Sequence, residues 1–295
     1  MKTKVIGLGV LGVGLAVGGF VLGGLGGRLA ETQLASLKED MRRHSFSLTT
    51  QANQRISDLV RYDGFAALEE TRRLAAEPRV LRALGTTRDA ETVAALTQAL
   101  EDNKPFSGSL YIVDRNRNVV AKRLDSEEAP TFVDGTGQVD HPAVKLALTR
   151  PIGLSEHTVL PPEDVVQVTV TSITSGTGEA PIGAVVKVHD KLAAHVLEME
   201  RFGGVVMYLD DKQVYSDGPD ELIAAARGAE TEAIWAKAKK GQPSSPVKIG
   251  TAERQYDATI FRLPRVTTEP LPMGYPPESV YLMFSPGIAA EAPPE

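Results

Sequence analysis

Six polar side chains sit on segments otherwise rich in Val, Ile and Leu: Tyr111, Arg123, Gln167, Thr169, Thr171 and Lys187. A mostly apolar floor with a few hydrogen-bonding groups suits a small ligand. Arg123 and Lys187 are the cations of the set, and either can grip a carboxylate. A plainer reading stands beside this one. Gln167, Thr169 and Thr171 alternate with Val166, Val168 and Val170, as on a sheet with one wet face.

Other chemistries find no support. The five histidines, His44, His141, His157, His189 and His195, show no HxH or HxxxH spacing and no surrounding acidic cluster, so no metal site is expected. His189 and His195 flank a strand-to-helix junction, where capping or solvent contact is the usual role. There is no cysteine, which excludes disulfides, thiolate zinc, iron–sulfur clusters and Cys nucleophiles. The acid pairs Glu127-Glu128, Asp210-Asp211 and Glu198/Glu200 are of a kind that more often decorates turns than runs acid–base chemistry. No GxSxG elbow occurs, and Gly176–Gly183 lacks the Lys and Ser/Thr of a phosphate loop. An enzyme is not expected, and no cofactor is implied. A net charge of -6 with pI ≈ 5.5 argues against nucleic acid as a partner.

The elements that must position these groups are read from periodicity. Residues Leu29 to Ala76 predict a long helix, with Leu34, Leu37, Met41 and Leu48 and then Ala52, Ile56, Leu59 and Val60 as an apolar stripe. That stripe needs a partner, either another copy or this chain's own domain; Gly64 is placed to bend the helix. Pro78 to Leu84 and Arg88 to Glu101 predict two further helices. The period then changes to two, predicting strands at 109–113, 119–123, 152–160, 164–174 and 182–189. Residues 126–142 read as loop, and Asp190 caps a helix running to about Arg201. A reduced version of the order follows: strands at 205–209 and 213–215, helices at 221–226 and 230–240, and strands at 247–250, 255–263 and 280–284. Pro264 to Pro277 reads as a long loop.

From Val5 to Gly27 nothing is charged or strongly polar, and about 23 such residues suffice to cross a bilayer core. Lys2 and Lys4 precede the run, favouring a cytoplasmic tail and an exported body. Gly7 to Gly12 matches GxGxxG, but the next fifteen residues carry no polar face, as a dinucleotide-binding helix would require. A cleaved signal peptide is the other rival, although its apolar core should be shorter and Arg28 stands where a small residue is wanted. Gly19, Gly23 and Gly27 repeat at a four-residue spacing, which lets a second helix approach closely; the plainer reading is a Gly-rich anchor.

Strand pair, insert, then three strands is the order of a PAS-like sensor fold. Leu74-Ala75-Ala76-Glu77-Pro78-Arg79-Val80-Leu81-Arg82-Ala83-Leu84, followed by Leu110-Tyr111-Ile112-Val113-Asp114, resembles the extracytoplasmic Cache family. Gly203-Gly204-Val205-Val206 is similar to the start of the membrane-proximal half of a double Cache. The resemblance covers roughly residues 30–285. It implies an α+β fold divided as follows: tail and transmembrane helix 1–28, helical stalk 29–105, PAS-like module 106–202, smaller PAS-like module 203–288, and disordered tail 289–295. Two departures from the family stand out. No later segment is apolar enough to span and lead to an output domain, and the Arg-x-Trp-Tyr amino-acid motif of one subgroup is missing, Trp235 lying in helical sequence, so amino-acid sensing is not expected. The expected function is a sensory protein anchored in the inner membrane by one helix, its body periplasmic. It would bind a small molecule, with a carboxylate as one candidate, and signal through a homodimer or membrane partner. The alternative is an envelope scaffold using PAS-like modules as interaction surfaces.

Overall fold

The computed structural model describes residues 47–85, 89–103, 108–126, 136–160, 164–176, 178–190, 204–209, 212–217, 220–226, 244–250, 255–278, 280–285 and 289–290, with scattered positions at 33–44, 132–133, 192 and 195. The expected span Val5–Gly27 with its Gly19, Gly23 and Gly27 face lies outside the described residues, as do the expected helix 230–240 and the three acid pairs. Among the described residues no helix is long and apolar enough to cross a membrane. The chain divides into two compact units, Met1–Leu48 and Thr49–Glu295, and both sheets belong to the second.

Helix α1 covers residues 47–75. It is followed by α2 (Pro78–Gly85), α3 (Ala90–Asp102) and a strand pair, β1 (Ser109–Asp114) and β2 (Val119–Arg123). Then come α4 (Pro142–Thr149), β3 (Gly153–Leu160), β4 (Asp164–Ile173) and β5 (Gly183–His189). The later elements are β6 (Gly204–Leu209), β7 (Lys212–Asp217), a short helix Asp220–Ala226, β8 (Ser244–Gly250), β9 (Gln255–Arg262), β10 (Val266–Thr267), β11 (Val280–Ser285) and β12 (Ala289–Ala290). Sequence reading made no assignment over α4. It is eight residues long, opened by Pro142 behind a His141 cap whose ring nitrogen accepts from Ala143 N at 3.3 Å.

The first sheet runs β10-β3-β4-β5-β1-β2, with every pairing antiparallel. In the second sheet β7-β6-β11-β9 are neighbours and β8 pairs with the free side of β9. Read inward from the hairpin, β7-β6-β11-β9-β8 repeats the β2-β1-β5-β4-β3 order of the first sheet. The Pro-rich stretch expected as a loop contains β10, which pairs with β3 as the sixth strand of the first sheet. Thr268 fixes it there, its N bonding Gly153 O at 2.9 Å and its Oγ1 accepting from Gly153 N at 2.8 Å.

From Ala52 to Val60 the predicted stripe finds its partner within the same chain; Leu37 is exposed, and Leu34 and Met41 lie outside the described residues. Ala52, Ile56 and Val60 bury against Val280, Leu282 and Phe284 of β11 and Phe261 of β9, where the Phe261 and Phe284 rings stack 5.9 Å apart. Further along, Leu74 and Ala75 join α2, α3, Leu110, Ile112 and Val185 in a second apolar cluster. One helix therefore spans both sheets. Each large aliphatic removed from water here contributes about 1.5–3 kcal/mol. Gly64 does not bend it: the helix is continuous there. A Cβ on Gly64 would lie 2.9 Å from a Val266 methyl and 3.3 Å from the Gln167 amide, so the glycine lets α1 sit close to the sheet.

Candidate functional site

Cross-strand register sorts the predicted ligand residues between the two faces of the first sheet. Tyr111 stands opposite Val186, Val186 opposite Val170, and Val170 opposite Leu154, all pointing toward α4. Lys187 stands opposite Leu110 and Thr169, and these point toward α1, α2 and α3. Arg123 is opposite Leu110, in the same row as Lys187 but two strand spacings away, about 10 Å.

On the α1 face the polar row is not wet. Gln167 is 4% exposed, Thr169 fully buried and Lys187 2% exposed. The Lys187 ammonium pairs with the Glu70 carboxylate of α1. The Thr171 and Thr71 hydroxyls lie 2.7 Å apart, and those of Ser155 and Thr169 2.8 Å apart. The expectation of a solvated Gln/Thr face is therefore corrected for Gln167 and Thr169, which are buried beneath α1; Glu70 and Thr71 of α1 bond Lys187 and Thr171, and Thr169 is bonded within the sheet by Ser155. Four of the six predicted residues come together here, as a seat for a helix. Lys187 does hold a carboxylate, one supplied by the protein. Beside this seat a groove of about 630 Å3 runs between Phe65, Leu68 and Arg72 of α1 and Thr171, Thr267 and Thr268.

Further along the α1 face, His195 Nε2 is 2.6 Å from Asp63 Oδ2. Buried His157 lies within their field, its pKa lowered to about 4, chiefly by burial. Solvent contact, one of the two roles expected at this junction, does not hold for His189, which is buried at the end of β5. Among the described residues no group of three or more acids and histidines is arranged to hold a metal ion.

The α4 face carries the denser chemistry. Val113, Val139, Val144, Val168, Val170 and Val186 pack together in its core. Tyr111 packs 5.6 Å from Phe132, and Phe132 packs 5.6 Å from the His141 ring. Glu156 projects from the middle of β3, opposite Val168. Tyr275 donates its hydroxyl to Glu156 Oε1 at 2.8 Å, and Arg265 Nε forms an ion pair with Oε2 at 2.6 Å. The Arg265 guanidinium also lies 4.8 Å from the Tyr275 ring centre. Burial raises the Glu156 pKa, against the opposing pull of Arg265. Burial likewise raises Tyr111 and, reinforced by Glu156, Tyr275. His141 is lowered to about 4 by burial and then by the charge of Arg265. Shifted groups gathered beside an apolar core mark a candidate site: a carboxyl, a cation and a phenol joined to one another, with a second phenol, Tyr111, on the same face.

Tyr111 is the one member of this cluster found by sequence reading. Glu156 shares strand parity with Leu154, so a charge among core positions was a usable signal. Arg265 and Tyr275 arrive from a segment more than a hundred residues away, and no local pattern announces them.

No protein-family model matches the sequence, and no curated protein matches it. Solved structures do. The ligand-binding domain of the Campylobacter jejuni chemoreceptor Tlp3, in complex with L-norvaline, aligns at 12% identity over 85% of this chain and 92% of that one, with a TM-score of 0.55. That of the Pseudomonas fluorescens chemoreceptor CtaA, in complex with L-leucine, aligns at 14% identity over 84% and 94%, with a TM-score of 0.48. That of the Pseudomonas aeruginosa amino acid chemoreceptor PctB, in complex with L-Arg, aligns at 12% identity over 83% and 87%, with a TM-score of 0.45. The chain therefore shares its fold with the Tlp3 ligand-binding domain, in keeping with the fold that the Cache resemblance implies.

Proposed function

We propose that this chain is an extracytoplasmic sensory protein that recognises a small polar molecule on the α4 face of its first sheet. The observation that carries the reading is the buried Glu156–Arg265–Tyr275 cluster beside Tyr111. What further supports it is the fold shared with a chemoreceptor ligand-binding domain. The two sheets are read as PAS-like modules over 106–202 and 203–288, the first for recognition and the second for relay. Tyr111, Glu156, Arg265 and Tyr275 contact the ligand. Gln167, Thr169, Thr171 and Lys187 act through the seat of α1, and Arg123 lies at its edge.

The Tlp3 domain holds L-norvaline, so a molecule bearing an amine and a carboxylate, matched to Glu156 and Arg265, is the first class to test. The Arg-x-Trp-Tyr motif of the amino-acid-binding subgroup is missing, so the reading rests on these other groups. Anchoring by Val5–Gly27 and lateral signalling to a membrane partner complete the proposal, which involves no reaction on the ligand. A thermal-shift screen of the full chain against amino acids, carboxylic acids and amines tests it. At least one compound should raise the melting temperature, and Glu156→Gln should abolish the rise. A full screen with no shift refutes the ligand reading.

A further inference from the structure

A second cleft, of about 440 Å3, opens between the first half of α1 and the chain around Arg262–Arg265. One wall is polar. Thr50, Asn53, Ser57 and Arg61 of α1 line it, and their spacing of three or four residues puts them on one side of the helix. Across from them stand Arg262, Arg265 and Glu278.

The balance of charge is the telling feature. Arg265 is held from behind by Glu156 at 2.6 Å, and Arg262 meets Glu278 at 3.3 Å. Arg61 is exposed and lines the cleft, and it makes no ion pair among the described residues. Three guanidinium groups thus face two carboxylates, leaving one positive charge in excess. Guanidinium groups match carboxylates in a two-point grip. The Asn53 amide donates to Thr259 Oγ1 at 3.0 Å, which fixes it in the wall, and the Thr50 and Ser57 hydroxyls are of the kind that both donates and accepts, as a ligand's hydroxyls require. The volume lies in the range of about 300–1,000 Å3 typical of small-molecule sites.

We propose that this cleft is a second binding site, for a small hydroxylated carboxylate such as a sugar acid or hydroxy acid. Arg61 and Arg262 take the ligand carboxylate, and the α1 side chains take its hydroxyls. Glu278 is the built-in competitor: it occupies Arg262 when the cleft is empty and gives it up on binding.

Isothermal titration of the full chain, with D-gluconate and citrate as probes and inorganic phosphate as control, tests this. Gluconate or citrate should bind saturably at millimolar concentration. Arg61→Gln, an exposed change that leaves the core intact, should weaken binding about tenfold, the worth of one charge-assisted contact. Glu278→Gln should strengthen binding several-fold by freeing Arg262. No saturable binding of either probe, unchanged affinity in Arg61→Gln, or weaker binding in Glu278→Gln overturns the proposal. Phosphate binding as tightly as both probes overturns the hydroxylated-carboxylate assignment. Probe binding that survives Arg61→Gln and disappears in Glu156→Gln belongs to the α4 face; it overturns this site and leaves the recognition reading standing.

Discussion

Deleting Glu70 should destabilise the protein far more than deleting the lysine it pairs with. The Lys187 side chain is 2% exposed on the central strands of the first sheet, whereas Glu70 on α1 is 22% exposed. In Glu70→Ala the ammonium remains in the interior with its carboxylate gone. Breaking a buried pair from one side costs about 3–5 kcal/mol, and partial hydration of Glu70 puts this case near the low end, about 3 kcal/mol. In Lys187→Met the charge leaves the interior, the chain length is nearly kept, and Glu70 turns to water, so the cost is about 1 kcal/mol or less. For a unit of this size each kcal/mol moves the midpoint by about 2–4 °C, so Glu70→Ala should melt about 6–12 °C lower. Urea denaturation of fragment Ala30–Glu295 followed by circular dichroism, at unchanged m-value, gives the free energies. The double variant should be no less stable than Glu70→Ala alone. If Lys187→Met costs as much as Glu70→Ala, the desolvation argument is wrong and the pair stabilises the fold by attraction.

Two further outcomes follow from the same packing. His141 and His157 are both held near 4, against an ordinary 6.5, so between those values the unfolded chain binds the protons; stability present above pH 6.5 is lost as pH falls through this window and levels off below 4. Glu156, shifted upward, opposes the trend at its acidic end. The urea midpoint should drop between pH 7 and pH 5, and His157→Gln should flatten that drop; an identical slope in the variant would contradict the assignment. Gly183→Ala should cost about 2 kcal/mol, because a Cβ there falls 2.6 Å from the Val113 carbonyl oxygen of the neighbouring strand; an unchanged urea midpoint would argue against that β1–β5 contact.

Local pattern carried most of the fold. Alternation found β4, since Val166, Val168 and Val170 face the core cluster beside α4, and the same change of period marked the strands of both hairpins. At the first, Asp114 Oδ1 accepts from the backbone N of Asn116 at 2.9 Å and of Asn118 at 2.8 Å, which explains why an aspartate closes that strand. Alternation says which residues share a face and is silent about what covers it. Gln167 and Thr169 therefore fit a wet face by pattern alone, whereas α1 lies over them, brought close by Gly64. The site was less legible for the same reason. Glu156 meets Arg265 and Tyr275 only because β10 returns to pair with β3, and a two-residue strand inside a Pro-rich stretch has too few residues to show a period. Periodicity showed that the α1 stripe needed cover; the contacts of Ala52, Ile56 and Val60 with the second sheet show which surface provides it.

Recognition on the α4 face can be tested most directly by a crystal structure of the protein purified from its native host without added ligand. The account predicts non-protein density between Tyr111, Glu156 and Tyr275, with hydrogen bonds to the Glu156 carboxyl or the Arg265 guanidinium. A face closed entirely by protein side chains, in crystals from native and recombinant material alike, would contradict it.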